Sequence, residues 1–426
     1  MHDGLTQLPN RSLLLERLNL ALERIRQCNQ FSFALLFVDL DRFKVINDSL
    51  GHLAGDQLLL IAAAKLKETI RSIDLAARLG GDEFVLLLEE IGGVQEVLRV
   101  ADRILENLRS PIRLGTHEVV MSASIGIVIG SSAYENSLDL LRDADIAMYS
   151  AKAKGKSCYA VFNPVMHIQA LKQLELEHDL RRAIERQEFT LFYQPIVSLA
   201  SGQIAGFESL VRWQHPVKGM ISPADFIPVA EETGLIVPLG SWILREACQQ
   251  LASWQQQFSA AASLKVSVNL SVKQLREADL LAQIQQVLQE TGLPGTSLAL
   301  EITESILMED IEVISYVLEQ LRASQVQISI DDFGTGFSSL SYLHRLPVNN
   351  LKIDRSFISN LLDSERNLNV TKTIITLADE LGINAIAEGI ETQEQLRQLK
   401  LFGCELGQGY LFRAPVAAET AQSLIQ

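Results

Sequence analysis

The first 160 residues alternate between stretches with apolar residues at helical spacing and short apolar runs. The helical spacing predicts four helices, at 12–27, 56–71, 94–108 and 137–154. The apolar runs predict three strands, at 33–38, 84–88 and 119–129. Gly155 follows the fourth helix, in a position where glycine commonly ends a helix. The pattern therefore predicts an α/β domain over residues 1–162.

The next segment, residues 163–187, has apolar residues at helical spacing among Glu, Arg and Lys, with Pro164 at its start. This pattern is typical of a helix with a solvated face. We therefore predict a helical linker that leads into a second domain over residues 188–426.

From residue 189 onward, short β-rich runs contain or end in a polar residue and precede a helical stretch. The polar residues of five such runs are Asn269, Glu301, Asp331 with Asp332, Lys352 and Glu388. The steps between these runs are 32, 30, 21 and 36 residues, which are lengths of strand-plus-helix units. The spacing predicts a parallel (β/α) barrel.

The polar residues that end these strands are candidate metal ligands. In a parallel barrel the carboxyl ends of the strands meet at one rim, so side chains that are distant in sequence converge there. The alternative is that each polar residue caps the next helix, which Asp and Asn often do. The four acids Glu301, Asp331, Asp332 and Glu388 together favour the metal site.

The chemistry of these residues indicates a hard divalent cation. Carboxylate and amide oxygens bind Mg²⁺ or Mn²⁺, and the sequence has no cluster of His or Cys for zinc. Two such ions, with Asp331 and Asp332 as the bridging pair, can cleave a phosphodiester. Lys352 lies inside an apolar run, where an ammonium needs carboxylate partners or a catalytic role, and the residues alone leave both open.

Composition and charge exclude several other classes of protein. Hydrophobic residues make up 47% and charged residues 21% of the 426 positions, as in a folded protein. The formal charge of −15 disfavours a nucleic acid polymer as partner. No apolar run is long enough to span a bilayer, and the four cysteines form no Cys-x-x-Cys pair, so we predict a cytoplasmic location with reduced thiols.

Eight motifs follow one another in the second half of the sequence. They are YQPI at 193–196, ESLVRWQHP at 208–216, NLS at 269–271, LEITE at 300–304, DDFGTG at 331–336, KID at 352–354, AEG at 387–389 and QGY at 408–410. In this order and spacing they resemble the EAL-type cyclic di-GMP phosphodiesterases. The resemblance implies a (β/α)8 TIM-like barrel that hydrolyses cyclic di-GMP to linear pGpG with two Mg²⁺ or Mn²⁺ ions.

The resemblance also implies roles for individual residues of the barrel. One ion would be held by Glu208, Asn269, Glu301 and Asp331, and the other by Asp331, Asp332 and Glu388. Lys352 would assist the attacking water, Glu304 would anchor the loop that carries Asp331 and Asp332, and the substrate would contact Gln194, Arg212 and Gln408. Ser209 stands where the family has Ala and Phe337 where it more often has Tyr, and neither change removes a ligand.

In the first half, acids lie at a strand end and in a glycine turn. Asp39 ends one apolar run, and Gly80 and Gly81 precede Asp82 and Glu83. A Gly-Gly turn indicates a hairpin, and glycines let the backbone approach a triphosphate while carboxylates hold its Mg²⁺. An ordinary surface hairpin is the alternative for this turn taken alone.

Further motifs surround this turn. They are DGLT at 3–6, PNR at 9–11, DLDRFK at 39–44, ND at 47–48, GH at 51–52, GD at 55–56, GGDEF at 80–84 and AK at 151–152. Together they resemble a GGDEF-type diguanylate cyclase domain. This implies a nucleotidyl-cyclase-like α/β fold, of the ferredoxin or palm type, that condenses two GTP molecules into cyclic di-GMP. Each GTP is held by one domain, so the resemblance implies a homodimer.

The resemblance assigns roles in the first domain as well. Asp39, Asp82 and the carbonyl of Leu40 would bind Mg²⁺, and Glu83 would activate the attacking hydroxyl. The remaining GTP contacts would come from Asn47 and Asp56 at the guanine, and from Gly80, Gly81, Lys44, Lys152 and Lys156 at the phosphates. Lys156 stands where the family more often has Arg, and an ammonium cannot make the two-pronged phosphate contact.

Arg71 and Asp74 match the family's inhibitory product site, in which an arginine binds guanine or phosphate with two donors. A lone Arg-x-x-Asp pair is usually a surface ion pair. Here only five residues separate Asp74 from Gly80, as in the family, so we predict that the pair binds the product.

These observations favour net hydrolysis by the barrel, with a GTP-binding first domain that either synthesises cyclic di-GMP or activates the hydrolase. The alternatives are a net diguanylate cyclase with minor hydrolase activity and a non-catalytic cyclic di-GMP receptor. Met1 lies two residues before the first motif, so we expect a longer parent protein with an upstream sensory domain, which could be attached to a membrane.

Overall fold

The computed structural model describes residues 1–28, 31–114, 117–304, 306, 311–335, 343 and 346–425, without the side chains of residues 311–313. The chain forms two compact units, residues 1–174 and 175–426. Within the described ranges, no helix combines the length and the apolar character that a membrane crossing requires.

The first unit is a five-stranded sheet with helices, and a separate two-stranded ribbon. Its elements are α1 Arg11–Gln27, β1 Phe33–Leu40, α2 Phe43–Leu50, α3 His52–Thr69, β2 Leu75–Gly80, β3 Glu83–Glu89, α4 Val94–Arg109, β4 Ile112–Leu114, β5 His117–Val119, β6 Ala123–Ile129, α5 Ser137–Ala153 and β7 Tyr159–Val161. The α/β domain predicted from the sequence is therefore confirmed.

The central strand of this sheet is β1, and all eight of its residues are buried. The strand order is β2-β3-β1-β6-β7, with every pair antiparallel except β6 and β7. Apolar side chains cover both faces: Leu36 and Val38 belong to one core cluster, and Leu35 and Phe37 belong to another. The alternation follows from the two-residue period of a strand.

Some details of the first unit differ from the sequence prediction, including the short strands β4 and β7, which were not predicted. The predicted strand 119–129 is broken into β5 and β6, and helix α2 was not predicted. Ser122 lies in the break, where its carbonyl accepts the N–H of Asp41 and its hydroxyl donates to the Asp41 carboxylate at 2.8 Å. These bonds satisfy a buried acid.

Helix α6, Pro164–Arg186, corresponds to the predicted linker, and the division between the two units falls within it. In the first unit, His167 contacts Asp143 at 2.7 Å and Met166 is buried. In the second unit, Leu180 and Ala183 are buried in the barrel's largest core cluster.

The second unit is built from strands that alternate with helices. After α6, its elements are β8 Phe189–Ser198, β9 Ile204–His215, β10 Gly219–Ile221, α7 Pro223–Thr233, α8 Ile236–Gln257, β11 Lys265–Asn269, α9 Val272–Leu275, α10 Leu280–Thr291, β12 Leu298–Thr303, α11 Ile311–Ala323, β13 Gln327–Phe333, β14 Asn350–Ile353, α12 Arg355–Ser359, α13 Glu365–Glu380, β15 Asn384–Ala387, α14 Gln393–Leu401, β16 Leu406–Gly407, β17 Val416–Ala417 and α15 Ala418–Ile425.

Eight of these strands close into a barrel. The ring runs β9-β11-β12-β13-β14-β15-β16-β8, and the pairing of β8 with β9 closes it. The predicted (β/α) barrel is confirmed, but one strand departs from the predicted parallel arrangement: β8 runs antiparallel to both of its neighbours in the ring. The reason is the short connection between β8 and β9, residues 199–203, because a turn of that length can join only antiparallel strands.

Candidate active sites

The barrel brings together acids that are far apart in sequence. Asn269 ends β11 and pairs in register with Glu301 of β12, and Glu208 of β9 pairs with Ser267 of β11. Asp331 lies near the end of β13, and Glu388 follows β15 directly. Because these strands are parallel neighbours, the side chains converge at one end of the barrel.

Lys352 lies at the centre of these acids. It is completely buried on β14, and its ammonium lies 2.5 Å from Glu301, 2.7 Å from Glu388, 3.2 Å from Asp331 and 3.4 Å from Glu208. The four carboxylates therefore face a common centre, and the alternative that they cap the following helices does not describe this geometry.

Two amide side chains tie the acids together. Asn269 donates to Glu208 at 2.9 Å, and Gln408 donates to Glu208 at 2.7 Å and to Glu388 at 3.0 Å. Gln194 pairs in register with Glu208, and its amide donates to the carbonyl of Arg413 at 3.3 Å. These bonds restrict the orientation of the carboxylates.

Burial and charge shift the pKa values of the buried acids in opposite directions. Burial raises the pKa of Glu388 to about 8, against the opposing effect of the Lys352 ammonium. Burial likewise raises the pKa of Glu301 well above its usual range. At Glu208, the effect of burial is outweighed by Lys352 and by the amide donors, so its pKa lies below the ordinary value.

The donor set fits a hard divalent cation. Carboxylate oxygens of Asp331, Asp332 and Glu388 all lie within 4.8 Å of one another. Two further oxygens, Glu301 Oε1 and Gln408 Oε1, are buried and have no hydrogen-bond partner in the structure. Buried acceptors without partners are rare, and a bound cation would supply the missing interaction.

Asp332 has a strained backbone at this site. Its φ angle of 54° lies in the left-handed region, which costs about 1–3 kcal/mol for a residue with a side chain. The hydroxyl of Thr335 donates to the Asp332 carbonyl at 2.8 Å, and the Asp332 N–H donates to the Asp331 side chain at 3.0 Å. These bonds hold both acids of the pair in one conformation.

Glu304 contacts the same loop. Its carboxylate accepts the backbone N–H of Gly334 at 2.9 Å, two residues after Asp332. The sequence-based statements about residue 336 and Phe337 concern positions that lie outside the described residues.

A cavity of about 280 Å³ borders Glu301 and Asn269. Its walls include Arg212 and apolar side chains of α7 and α8, such as Ile227 and Ile243. The Arg212 guanidinium lies 5.4 Å from the Phe192 ring centre. Ser209 is buried between Glu208 and Leu210, and its hydroxyl donates to the carbonyl of Ser267 at 2.8 Å.

The first unit has an acidic site of its own. The pairing of β1 with β3 places Asp39 opposite Glu83, and the N–H of Leu40 donates to the carbonyl of Asp82 at 3.3 Å. Lys152 of α5 forms an ion pair with Asp39 at 2.8 Å. Burial raises the pKa of Asp39, with Lys152 opposing this effect and Asp82 adding to it. Burial and nearby carboxylates also raise the pKa of Glu83.

The hairpin between β2 and β3 is formed as predicted. Gly81 has a φ of 51°, in the left-handed region where glycine is favoured, and Gly80 has a φ of 153°. The other predicted GTP contacts lie at the surface or on α2 and α3. The Asn47 side chain packs closely on Gly55: a Cβ added at Gly55 would lie 1.7 Å from Asn47 Oδ1. Asn47 therefore lies near Asp56, the residue that follows Gly55. Lys44 and Lys156 are exposed.

Arg71 and Asp74 border a second cavity, of about 170 Å³. Sequence reasoning missed the other charged residues of its wall, which are Glu96, Arg99 and Arg103 of α4. Their spacing of three and four residues places them on one face of a helix, and that spacing is the signal that could have revealed them.

The fold and the sites define a class of protein. It has an α/β domain with an acidic hairpin, followed by a (β/α) barrel whose rim carries a set of carboxylates suited to divalent cations. The chain belongs to the EAL domain family, which matches residues 177–415, and its residues 1–158 match the diguanylate cyclase GGDEF domain.

Curated relatives align with nearly the whole of this chain. The chain is 43% identical over 419 residues to the bifunctional diguanylate cyclase/cyclic di-GMP phosphodiesterase MucR of Pseudomonas aeruginosa, covering 98% of this chain and 61% of MucR. It is 39% identical over 425 residues to the cyclic di-GMP phosphodiesterase NbdA of the same organism, covering 100% of this chain and 54% of NbdA. The chain thus spans between half and two thirds of the length of these relatives.

A solved structure is similar to the barrel. The PaMucR phosphodiesterase in complex with cyclic di-GMP is 44% identical, with a TM-score of 0.56, and the match covers 58% of this chain and 99% of that one.

Proposed function

We propose that the barrel hydrolyses cyclic di-GMP to linear pGpG with two Mg²⁺ or Mn²⁺ ions. The observation that carries this proposal is the convergence of Glu208, Glu301, Asp331 and Glu388 on one centre. The names of MucR and NbdA and the cyclic di-GMP complex of PaMucR support the choice of substrate.

The ions would be held by two sets of residues that share one acid. Glu208, Asn269, Glu301 and Asp331 form the first set, and Asp331, Asp332 and Glu388 form the second. Bound ions of this kind polarise the phosphodiester and lower the pKa of a bound water. The unpaired Oε1 of Glu301 offers one of the ligand atoms.

The chain's own residues orient the reactants. Hydrolysis joins the water oxygen to phosphorus and breaks the bond from phosphorus to the ribose 3′ oxygen, which takes up a proton. Lys352, held among four carboxylates, would orient the attacking water. Glu304 fixes the backbone of the loop that carries Asp331 and Asp332 through its bond to Gly334.

The substrate would extend from this centre into the neighbouring cavity. A guanine base would pack against its apolar wall, and Arg212 would offer a cation for the phosphate that is not cleaved. Gln194 and Gln408 would contact the substrate, and the hydrogen bonds of Gln408 would hold Glu208 and Glu388 in position beside it. Cleavage of one of the two diesters would leave a linear dinucleotide as the product.

The first unit would bind GTP with Mg²⁺ at Asp39, Asp82 and the Leu40 carbonyl. Glu83 would activate the attacking hydroxyl, Asn47 and Asp56 would bind the guanine, and the phosphates would meet Lys44, Lys152, Lys156 and the Gly80-Gly81 turn. Condensation of two GTP molecules requires two such domains, and hence a homodimer. The first unit has all three acids that this reaction needs, Asp39, Asp82 and Glu83. Their presence supports net cyclase activity as the second candidate function.

The two candidates are separated by product analysis. The full chain is incubated with Mg²⁺ or Mn²⁺ and with cyclic di-GMP alone, GTP alone, or both, and nucleotides are separated by chromatography. We expect pGpG from cyclic di-GMP. In Glu208→Ala protein we expect pGpG formation to fall by a factor on the order of 100 or more, and any cyclic di-GMP made from GTP to accumulate.

Each result assigns the activity differently. Accumulation of cyclic di-GMP from GTP in the unsubstituted chain would make the protein a net cyclase. Binding of cyclic di-GMP without turnover in saturating Mg²⁺ or Mn²⁺ would overturn the hydrolase proposal in favour of a receptor.

A further inference from the structure

The cavity beside Arg71 carries an unusual mixture of charges. Its wall contains three guanidinium groups, from Arg71, Arg99 and Arg103, and two carboxylates, from Asp74 and Glu96. Leu88, Ile91 and Val100 form an apolar part of the wall. Arginines around an apolar floor suit an anion with a flat ring, such as a guanine nucleotide. This fits the product site that the sequence predicts at Arg71 and Asp74.

The two carboxylates differ in how firmly they belong to the fold. The Asp74 side chain is only 2% exposed, and it accepts the backbone N–H groups of Arg71 at 2.8 Å and Glu89 at 3.1 Å. The Glu96 side chain is 32% exposed, and one backbone N–H, that of Gly92, donates to it at 2.6 Å. Asp74 is therefore held in place by the backbone around it, whereas the Glu96 side chain can rotate away from Arg71 with the loss of few contacts.

Arg71 divides its donors between the fold and Glu96. Its Nε lies 3.3 Å from Asp74 and one terminal nitrogen donates to the carbonyl of Glu89 at 2.9 Å. The other terminal nitrogen lies 3.2 Å from Glu96 Oε1. An entering phosphate is an anion like the Glu96 carboxylate, so the two compete for the positive charge at this nitrogen.

We propose that Glu96 is an internal competitor for Arg71 and lowers the affinity of this cavity for cyclic di-GMP. The inference rests on the proposed cyclic di-GMP function and on the product site predicted at Arg71 and Asp74, and it adds the residue that sets the strength of product binding there. Removal of the Glu96 charge frees one donor of Arg71 and makes the potential of the cavity more positive. A loss of local structure would lower the affinity, so an increase distinguishes competition from a structural role.

The test measures equilibrium binding of cyclic di-GMP to the full chain in EDTA, which removes the divalent ions that hydrolysis requires. The binding that Arg71→Ala abolishes belongs to this cavity. We expect Glu96→Gln, which keeps the size of the side chain and an acceptor for Gly92, to strengthen that binding roughly threefold to tenfold. We expect Glu96→Ala to strengthen it as well.

Glu106→Gln is the matched control. Glu106 lies ten residues further along α4, roughly 15 Å from Glu96 by helical rise, and is not part of the cavity wall. We expect it to leave the affinity within about twofold, because exposed charges at this distance are screened. Arg71-dependent binding that is unchanged or weaker in both Glu96 variants would overturn the competitor role. Absence of Arg71-dependent binding in every variant would instead overturn the product site.

Discussion

At the residue scale, Lys352 is the group on which the barrel site depends most directly. A fully buried ammonium is costly unless carboxylates surround it, and the nearby acids raise the pKa of Lys352 well above its usual value against the effect of burial. The reverse also holds, because the buried acids Glu208 and Glu301 would repel each other without a cation between them. The structure therefore shows Lys352 in ion pairs with carboxylates, which is one of the two roles that the sequence left open. These ion pairs do not conflict with the other role, which is catalytic.

This mutual dependence predicts the effect of Lys352→Met. In metal-free buffer we expect the barrel to lose about 3–5 kcal/mol of unfolding free energy, because buried carboxylates lose their only common cation among the described residues. Saturating Mn²⁺ should recover a large part of this loss, because the ions supply positive charge at the same acids. Thermal unfolding with Mn²⁺ and with EDTA measures both quantities.

The control for this substitution is Lys265→Met. Lys265 also lies on a barrel strand, but its ammonium donates to Gln327 at 3.1 Å and has no carboxylate partner among the contacts described for it. We expect a loss of about 1 kcal/mol that Mn²⁺ does not change. An equal loss for Lys352→Met with and without Mn²⁺ would show that the lysine supports the barrel through contacts that metal ions do not replace.

At the scale of elements, the close approach of α5 to β6 positions the first unit's acidic site. Helix α5 carries Lys152, the partner of Asp39, and β6 lies beside β1, which carries Asp39. Gly126 of β6 permits this approach, since a Cβ there would lie 1.9 Å from the carbonyl oxygen of Ala144 and 2.2 Å from the backbone nitrogen of Met148. Both clashes are with backbone, which cannot rotate away.

Gly126→Ala is therefore expected to push α5 away from the sheet. We predict a loss of about 3 kcal/mol in the unfolding free energy of the first unit, and weaker GTP binding because Lys152 moves relative to Asp39. Urea denaturation and equilibrium GTP binding measure the two effects.

Gly4→Ala provides the comparison for this variant, because no atom lies within 4 Å of a Cβ added at Gly4. Its stability should stay within about 0.5 kcal/mol of the unsubstituted chain. Unimpaired stability in Gly126→Ala would mean that the helix can shift on the sheet at little cost.

At the scale of the whole molecule, the two units bind related nucleotides in the proposed function and are joined by α6. If GTP in the first unit activates the barrel, the two ligands have a coupling free energy, and the coupling is reciprocal. We predict that GTP raises the rate of pGpG formation and that bound cyclic di-GMP raises GTP affinity.

The measurement follows labelled cyclic di-GMP, so that newly synthesised dinucleotide is not counted. ATP in place of GTP is the control, and we expect it to leave the rate unchanged, because adenine lacks the guanine edge that Asn47 and Asp56 would bind. Equal rates with GTP, with ATP and without nucleotide would contradict activation and leave synthesis as the role of the first unit.

Local patterns in the sequence determined much of this protein. The period of apolar residues predicted the α/β domain, the linker helix and the succession of strand-plus-helix units, because periodicity reflects which face of each element is buried. The Gly80-Gly81 turn identified the hairpin, because only a few residue types occupy left-handed backbone positions easily. Motif spacing identified both families, and thereby most of the proposed site residues.

Only the tertiary structure decided how distant residues meet. The four carboxylates around Lys352 come from strands up to 180 residues apart, counted from Glu208 to Glu388, and meet only because the barrel closes. The contact of Glu96 with Arg71 likewise depends on how α4 packs against α3, which ends two residues before Arg71. Sequence patterns record local burial, whereas side-chain contacts depend on the packing of whole elements.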